Sequence, residues 1–324
     1  MAEGFLLKLH QFAEKLDLLG YSKRSVRDYP YDFGLFLRYL AEKENVTCLA
    51  DIRPEHITAY HTYLHYTRFR KGNYLATGTI VKRLESIRLF YKIMHSEGLI
   101  EQNHSAVVTV PKKKRTIPRN VPGEKDMIAL LESIQPVACT EPGRSNPLTL
   151  RDRALLELLY ATGLRSEEVR AALLENFDRT EKTLFVTGKG AKDRIVPVGD
   201  WVMPYLLEYL EVGRPKLINP RDPSALLFVS KTGRQITTAN LGDLLRKYAE
   251  KAGLDMRITP HTIRHACATH LLKGGADIRY VQELLGHVDL SSTQIYTKID
   301  ITFLKQAHKK YHPRERLDVG NRHT

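Results

Sequence analysis

Near the end of the chain stands Thr259-Pro-His261-Thr-Ile-Arg264-His265, followed by Leu284-Leu-Gly-His287 and then Thr293-Gln-Ile-Tyr296-Thr. Proline at the start of the first block opens a helix, because the first turn needs no donor from its backbone nitrogen. His261 precedes Arg264 by three residues, so both lie on one helical face and can meet a single phosphate. A guanidinium grips phosphate in two places at once, an imidazole moves protons near neutral pH, and a phenol can attack as a nucleophile. Taken singly, each has an ordinary reading: His and Arg at this spacing are common on solvated helices, and a lone tyrosine is core or surface. Together they describe a site that attacks a phosphodiester, with the cations neutralising the phosphate so that the Tyr296 phenol can react. His265 and His270 read as packing or capping groups.

Upstream, Arg165 follows Thr162-Gly163-Leu164 at a helix start, where backbone amides favour an anion. Glu168, one turn on, is placed to hold the Arg165 rotamer; the plain alternative is a surface ion pair. Lys189 stands in the turn Gly188-Lys-Gly-Ala-Lys-Asp between two short strands, Thr183–Thr187 and Arg194–Val198, from which it could protonate a departing hydroxyl. Lys192 in the same turn competes for that role.

Working outward, the fold class is mainly α with a small β-hairpin or sheet. Apolar residues at helical spacing (Phe5, Leu6, Leu9, Phe12, Ala13, Leu16) predict a first helix over residues 3–19. Ser22 caps a second helix through Leu40, with Pro30 inside it predicting a kink or a late start. A third opens at Pro54, and a fourth spans Thr79–His95 with Lys82, Arg83, Arg88 and Lys92 on its other face. The tract Lys112-Lys-Lys-Arg115, between Pro111 and Pro118, reads as an extended basic strap rather than an import signal. Three segments follow: residues 1–110, a linker over 111–122, and a mostly helical domain over 123–324. In the last, helices are expected over Arg151–Tyr160, from Ser166, and over Met203–Val212, Thr238–Ala252, Pro260–Lys273, Ile278–Leu285, Ser291–Tyr296 and Ile301–Tyr311. Arg144-Ser-Asn-Pro147 reads as a long loop before Arg151.

The 324 residues suffice for two cores. No apolar run reaches the roughly 20 residues of a membrane span, and the N-terminus lacks the pattern of a secretory leader. Three scattered cysteines (Cys48, Cys139, Cys267) lack metal-ligand spacing and read as packing residues in a reducing, cytoplasmic setting. The net charge of +13 and pI near 9.5 imply a polyanionic partner. Residues 1–122 hold 20 Lys and Arg against 12 Asp and Glu, and the longer remainder 30 against 25, so the smaller part carries more of the excess.

The blocks Ala161-Thr-Gly-Leu-Arg165-Ser-Glu-Glu168, Gly188-Lys189-Gly-Ala-Lys-Asp-Arg, His261-Thr-Ile-Arg264-His265, Leu284-Leu-Gly-His287 and Thr293-Gln-Ile-Tyr296-Thr resemble, in order, the tyrosine recombinase (phage integrase) family. The Xer-type branch is the most similar, and the tail Leu304-Lys-Gln-Ala-His-Lys-Lys-Tyr-His-Pro313 shares that likeness. The resemblance implies a SAM-like four-helix core-binding domain and a catalytic domain that close as a clamp on duplex DNA. It implies attack by Tyr296 to give a 3′-phosphotyrosine, with Arg165, Arg264 and His287 on the non-bridging oxygens. His261 would assist proton transfer, and Lys189 would protonate the leaving oxygen. Neither metal nor other cofactor is expected. Four protomers, identical or paired with a paralogue, would exchange strands on two inverted-repeat sites through a Holliday junction, with a DNA translocase as a further partner. The helix near 301–311 would dock into a neighbouring subunit. The expected location is the nucleoid-associated cytoplasm.

For DNA contact the residues are Lys23, Arg24 and Arg27 on the second helix, Lys82, Arg83 and Arg88 on the fourth, and Lys231, Arg234 and Arg257 in the second domain. Most would meet phosphate rather than base edges. Two rival readings are a type IB topoisomerase, built on the same tyrosine and cations, and a non-catalytic DNA-binding protein.

Overall fold

The computed structural model describes residues 3–68, 72–104, 106, 108, 110, 121–135, 146–188, 193–221, 223–286 and 301–316. The chain divides into two compact units, Met1–Ile117 and Pro118–Thr324. The basic tract 112–115, Cys139 and the segment Ser291–Tyr296 lie outside the described residues.

Among its described residues the first unit has four α-helices, α1 (Glu3–Leu18), α2 (Lys23–Lys43), α3 (Pro54–Tyr66) and α4 (Thr77–Ser96). Ser22 caps α2 by accepting the Ser25 N–H at 3.2 Å. The helix runs unbroken through Pro30, so the expected late start is not observed. Pro54 occupies the first turn of α3. Apolar stripes meet in a core of Phe5, Phe12, Leu16, Phe33, Phe36, Leu40, Ile57, Tyr60, Leu84, Ile87, Phe90 and Met94. Phe33 and Phe90 stack at its centre with ring centroids 3.9 Å apart. Leu6 faces out at 45% exposure, because the buried stripe of α1 runs through Phe5, Phe12 and Leu16 instead.

The second unit is built around α6 (Pro147–Thr162), in which every residue from Ala154 to Thr162 is buried. A helix buried around its whole circumference belongs at the centre of a domain, and the one charge inside this stretch, Glu157, is ion-paired with Arg153 and Arg314. It begins four residues before the expected Arg151: the Asn146 side chain accepts the Leu148 N–H at 2.9 Å, and Pro147 takes the first helical position. Around it lie α5 (Glu124–Glu132), α7 (Ser166–Ala171), α8 (Met203–Glu208, extended by π and 3-10 turns to Lys216), α9 (Thr238–Lys251), α10 (Pro260–Lys273), α11 (Ile278–Leu285), α12 (Ile301–Tyr311) and α13 (Pro313–Arg316). The sheet has three antiparallel strands rather than two: β1 (Phe177–Asp178), β2 (Thr183–Thr187) and β3 (Asp193–Pro197), in the order β1-β2-β3. Thr187 pairs with Asp193, closing the base of the hairpin. Among the described residues no helix is long and apolar enough to cross a membrane. Cys267 is buried as expected, whereas Cys48 is exposed and does not pack in a core.

Candidate active site

Three chain reversals converge at the end of α6. Gly163 terminates that helix with φ +60°, a left-handed conformation in which a β-carbon would also sit 2.5 Å from Leu285 Cδ2. The chain turns at once into α7, placing Arg165 at its N-cap. Here the Arg165 N–H donates to Glu168 Oε2 at 2.8 Å, so this amide is committed to the carboxylate rather than left for an anion. The guanidinium donates from Nη1 to Glu168 Oε1 (2.8 Å) and from Nη2 to the Gly286 carbonyl (3.1 Å). Glu168 thus holds Arg165 as the sequence suggests, while the Arg165 side chain stays 40% exposed.

The second reversal is the start of α10. Thr259 caps it by accepting the Thr262 N–H at 3.1 Å, with Pro260 in the first turn. Arg264 is buried, and donates to the Gly163 carbonyl at 2.6 Å and the Leu285 carbonyl at 2.5 Å. His261, three residues earlier, is exposed, its Nε2 lying 3.1 Å from His265 Nε2. His265 is therefore a direct neighbour of His261 as well as a packing residue. His270 packs as expected, hydrogen-bonded to the Tyr160 hydroxyl at 2.8 Å.

The third is the end of α11, where Gly286 takes φ +61°. Its last carbonyls each accept from a different arginine: Leu284 from Arg194 Nε (3.1 Å), Leu285 from Arg264 and Gly286 from Arg165. A helix C-terminus carries partial negative charge, which favours this clustering of cations. Glu168 supplies the remaining compensation. Arg194, on β3, grips both of its oxygens at 3.0 and 2.9 Å. Burial pushes the Glu168 carboxyl up, but the hydrogen bonds from Arg194 and the Arg165 backbone outweigh it and hold its pKa at about 2. Burial first, then the adjacent Arg165 charge, lowers Arg264 to about 10, leaving it cationic at neutral pH. Three guanidinium groups therefore face one carboxylate. A guanidinium has five N–H donors. Arg165 and Arg264 each use two here, keeping others for an oxyanion.

The same helix end is braced from behind by the chain's tail. His308 Nε2 lies 2.9 Å from the Ala161 carbonyl and His312 Nε2 3.2 Å from the Tyr160 carbonyl, the two imidazoles stacking with centroids 4.7 Å apart. Burial keeps both below the ordinary histidine value, so both are neutral at pH 7. Arg314 is ion-paired with buried Glu157 and lies over the Trp201 ring at 4.1 Å. In this single chain α12 and α13 thus seat on their own domain.

Of the expected catalytic residues, the structure brings together Arg165, Glu168 and Arg264, with His261 at the exposed end of the same helix as Arg264. Lys189, Lys192, His287 and Tyr296 lie outside the described residues, although α11 ends at Leu285, two positions before His287. Sequence reasoning missed Arg194, the last residue of the quoted Gly-Lys-Gly block, and the roles of His308, His312 and Arg314. For DNA contact, Lys23, Arg24, Arg27, Lys82 and Arg88 are exposed on α2 and α4, as are Lys231, Arg234 and Arg257 in the second unit. Lys82 is tied to Asp28 (3.3 Å) and Asp32 (3.2 Å), and Arg24 and Arg27 also pair with Asp28. Arg83 is half-buried beside Tyr60 rather than on the open face.

The phage integrase family model matches residues 124–302, and the model of the phage integrase N-terminal SAM-like domain matches residues 9–98. Tyrosine recombinase XerC of Pelotomaculum thermopropionicum is 37% identical over 296 residues, covering 90% of this chain and 93% of the relative. Tyrosine recombinase XerD of Vibrio cholerae is 36% identical over 296 residues, covering 91% and 92%. Among solved structures, the XerH site-specific recombinase bound to palindromic difH in a post-cleavage complex superposes with TM-score 0.63 at 22% identity, covering 93% of this chain and 84% of that one. A lambda integrase dimer bound to a COC′ core site gives 0.62 at 17%, covering 91% and 98%; both likenesses are of fold. With family models on both units and relatives this similar along nine-tenths of its length, the chain belongs to the phage integrase family, the tyrosine recombinases.

Proposed function

We propose that this chain is an Xer-like site-specific recombinase that cuts and rejoins duplex DNA without a cofactor. The observation that carries the reading is the meeting of Arg165, Arg194 and Arg264 on the last carbonyls of α11, two of them with donors to spare, immediately before His287 in the chain. A scissile phosphate takes the spare donors of Arg165 and Arg264, and His287 completes the set on the non-bridging oxygens. Cations preorganised in a partly buried site stabilise the charge that grows on those oxygens, without reorganising at the moment of reaction. Tyr296 attacks phosphorus and forms a 3′-phosphotyrosine; the 5′ oxygen leaves and takes a proton from Lys189. His261 assists proton transfer at the phenol. The free 5′-hydroxyl of a second strand reverses the step, so the bond energy is retained and no ATP is consumed.

Residues 1–110 act as the core-binding domain, 111–122 as a basic strap, and 123–324 as the catalytic domain, the two units clamping the duplex. Solved relatives include a lambda integrase tetramer bound to a Holliday junction. By analogy four protomers, alike or paired with a paralogue, exchange strands on two inverted-repeat sites in the cytoplasm, with α12 passing to a neighbour on assembly. The task is chromosome dimer resolution, helped by a DNA translocase, or movement of a mobile element.

The test is capture of covalent adducts. Purified protein and its Tyr296→Phe variant are mixed with fragmented host DNA in chelator without ATP, and SDS-resistant complexes are sequenced at their ends. Cuts converging on one inverted repeat, absent from the variant, are expected. Adducts scattered over the DNA would favour a topoisomerase, and adducts that survive in Tyr296→Phe would refute the assignment of the nucleophile.

A further inference from the structure

Arg194 stands on β3 opposite Val186, one residue beyond the Asp193 that closes the hairpin. Its side chain is 10% exposed, against 40% for Arg165. Three of its donors are committed: Nε to the Leu284 carbonyl, and Nη1 and Nη2 as a fork on the two Glu168 oxygens. The stem lies against Gly286, where an added β-carbon would meet Cδ at 3.2 Å. Such burial and commitment leave it little to offer a ligand.

What Arg194 touches are the two anchors of Arg165. One is Glu168, which accepts both the Arg165 N–H and its Nη1; the other is the Gly286 carbonyl, which accepts Nη2. Arg194 fixes the first through a bidentate pair, a geometry that sets orientation as well as attraction. It fixes the second by holding Leu284 and packing on Gly286. Without Arg194 the Glu168 carboxylate is free to rotate, and the end of α11 loses one of its three arginine caps. Arg165 would remain cationic but lose its aim.

We infer that Arg194 is a positioning residue, which places the exposed Arg165 guanidinium on the scissile phosphate by locking Glu168 and the end of α11. This rests on the reading of Arg165 as a phosphate ligand, and the experiment separates the two. Full-length wild type, Arg194→Ala, Arg194→Lys and Arg165→Ala are assayed for single-turnover cleavage on a duplex carrying the site found by adduct sequencing. The scissile group is either an ordinary phosphate or a methylphosphonate, in which a methyl replaces one non-bridging oxygen and removes the charge. A displacement of about 1 Å in a positioning group costs on the order of 100-fold. On phosphate, Arg194→Ala and Arg165→Ala are therefore expected to lose about that much, with DNA affinity near wild type. On methylphosphonate, where there is little charge to neutralise, both should approach the wild-type rate.

If Arg165→Ala recovers on methylphosphonate and Arg194→Ala does not, Arg194 serves the fold alone and the inference is overturned. Full activity of Arg194→Ala on phosphate overturns it as well. If Arg165→Ala itself fails to recover, the underlying reading of Arg165 falls. Should Arg194→Ala not fold, Arg194→Lys is compared in the same way: it keeps the charge but cannot fork onto Glu168 while also reaching Leu284.

Discussion

Removing the carboxylate at the centre of the arginine cluster has a cost that the structure sets. Glu168 is 4% exposed at its side chain and accepts four hydrogen bonds, one from the Arg165 backbone and three from the Arg165 and Arg194 guanidiniums. Glu168→Gln keeps the shape, halves the accepting capacity and points an amide at cations. The folded pKa of about 2, against an ordinary 4.5, converts to about 3 kcal/mol of stabilisation at neutral pH. Breaking a buried ion pair from one side costs about 3–5 kcal/mol, and the partial exposure of Arg165 places this case at the low end. We expect Glu168→Gln to lose about 2–3 kcal/mol at pH 7 in urea unfolding. The pH dependence carries a sign. A carboxyl whose folded pKa is depressed stabilises fully above its unfolded value and loses that contribution as pH falls from 4.5 through 2. The gap between wild type and variant should therefore be constant from pH 6 to 8 and about a quarter smaller at pH 4. A gap below about 1 kcal/mol at pH 7, or one that widens toward pH 4, would refute the assignment of Glu168 as the ionised hub.

Three further outcomes follow from the same geometry. Gly286→Ala forces a left-handed residue and presses on Arg194, so it should destabilise by at least about 1 kcal/mol and abolish cleavage in the adduct assay while leaving DNA binding in gel shifts. Buried His270, His308 and His312 have folded pKa values held below 6.5 by desolvation, so their contribution is complete above that pH and is lost as pH falls below it. Chemical denaturation should show stability level from pH 8 to 7 and falling as pH drops below 6.5, and a flat profile down to pH 5 would count against their neutral burial. Arg314→Ala exposes the Trp201 face and strips one cation from Glu157, which keeps Arg153; a loss of about 3 kcal/mol is expected in thermal unfolding, and no loss would mean the tail does not brace α6.

Much of the fold was legible because its elements announce themselves locally. Ser22, Pro54, Thr259 with Pro260, and Gly163 are start and stop signals that the structure uses as such. The start of α6 is hidden because Arg144-Ser-Asn-Pro147 has the composition of a loop, although an Asn cap with Pro in the first turn opens a helix. Strand β1, two residues long, is too short for any periodicity to reveal. Leu6 fits a helical stripe on paper, but the partners across α2 and α4 select the neighbouring stripe. The family resemblance rested on five blocks in order and agrees with the family models. It carried Arg165 and Arg264, which donate to the neighbouring carbonyls of Gly286 and Leu285, while Glu168 was legible from its one-turn spacing to Arg165. Arg194 was invisible because its partners Glu168 and Leu284 lie 26 and 90 residues away. His308, His312 and Arg314 act on Ala161, Tyr160 and Glu157, about 150 residues earlier. Contacts at that separation are decided by tertiary packing, which no local pattern encodes.

The most direct measurement is the identity of the residue that carries the DNA. Adducts trapped on a cleaved duplex are digested with nuclease and protease, and the peptide bearing a residual nucleotide is sequenced by mass spectrometry. We expect one modified peptide, with the phosphodiester on the Tyr296 oxygen and the nucleotide attached through its 3′ phosphate. A nucleotide on any other residue, or linkage through a 5′ phosphate, would contradict the mechanism proposed for this chain.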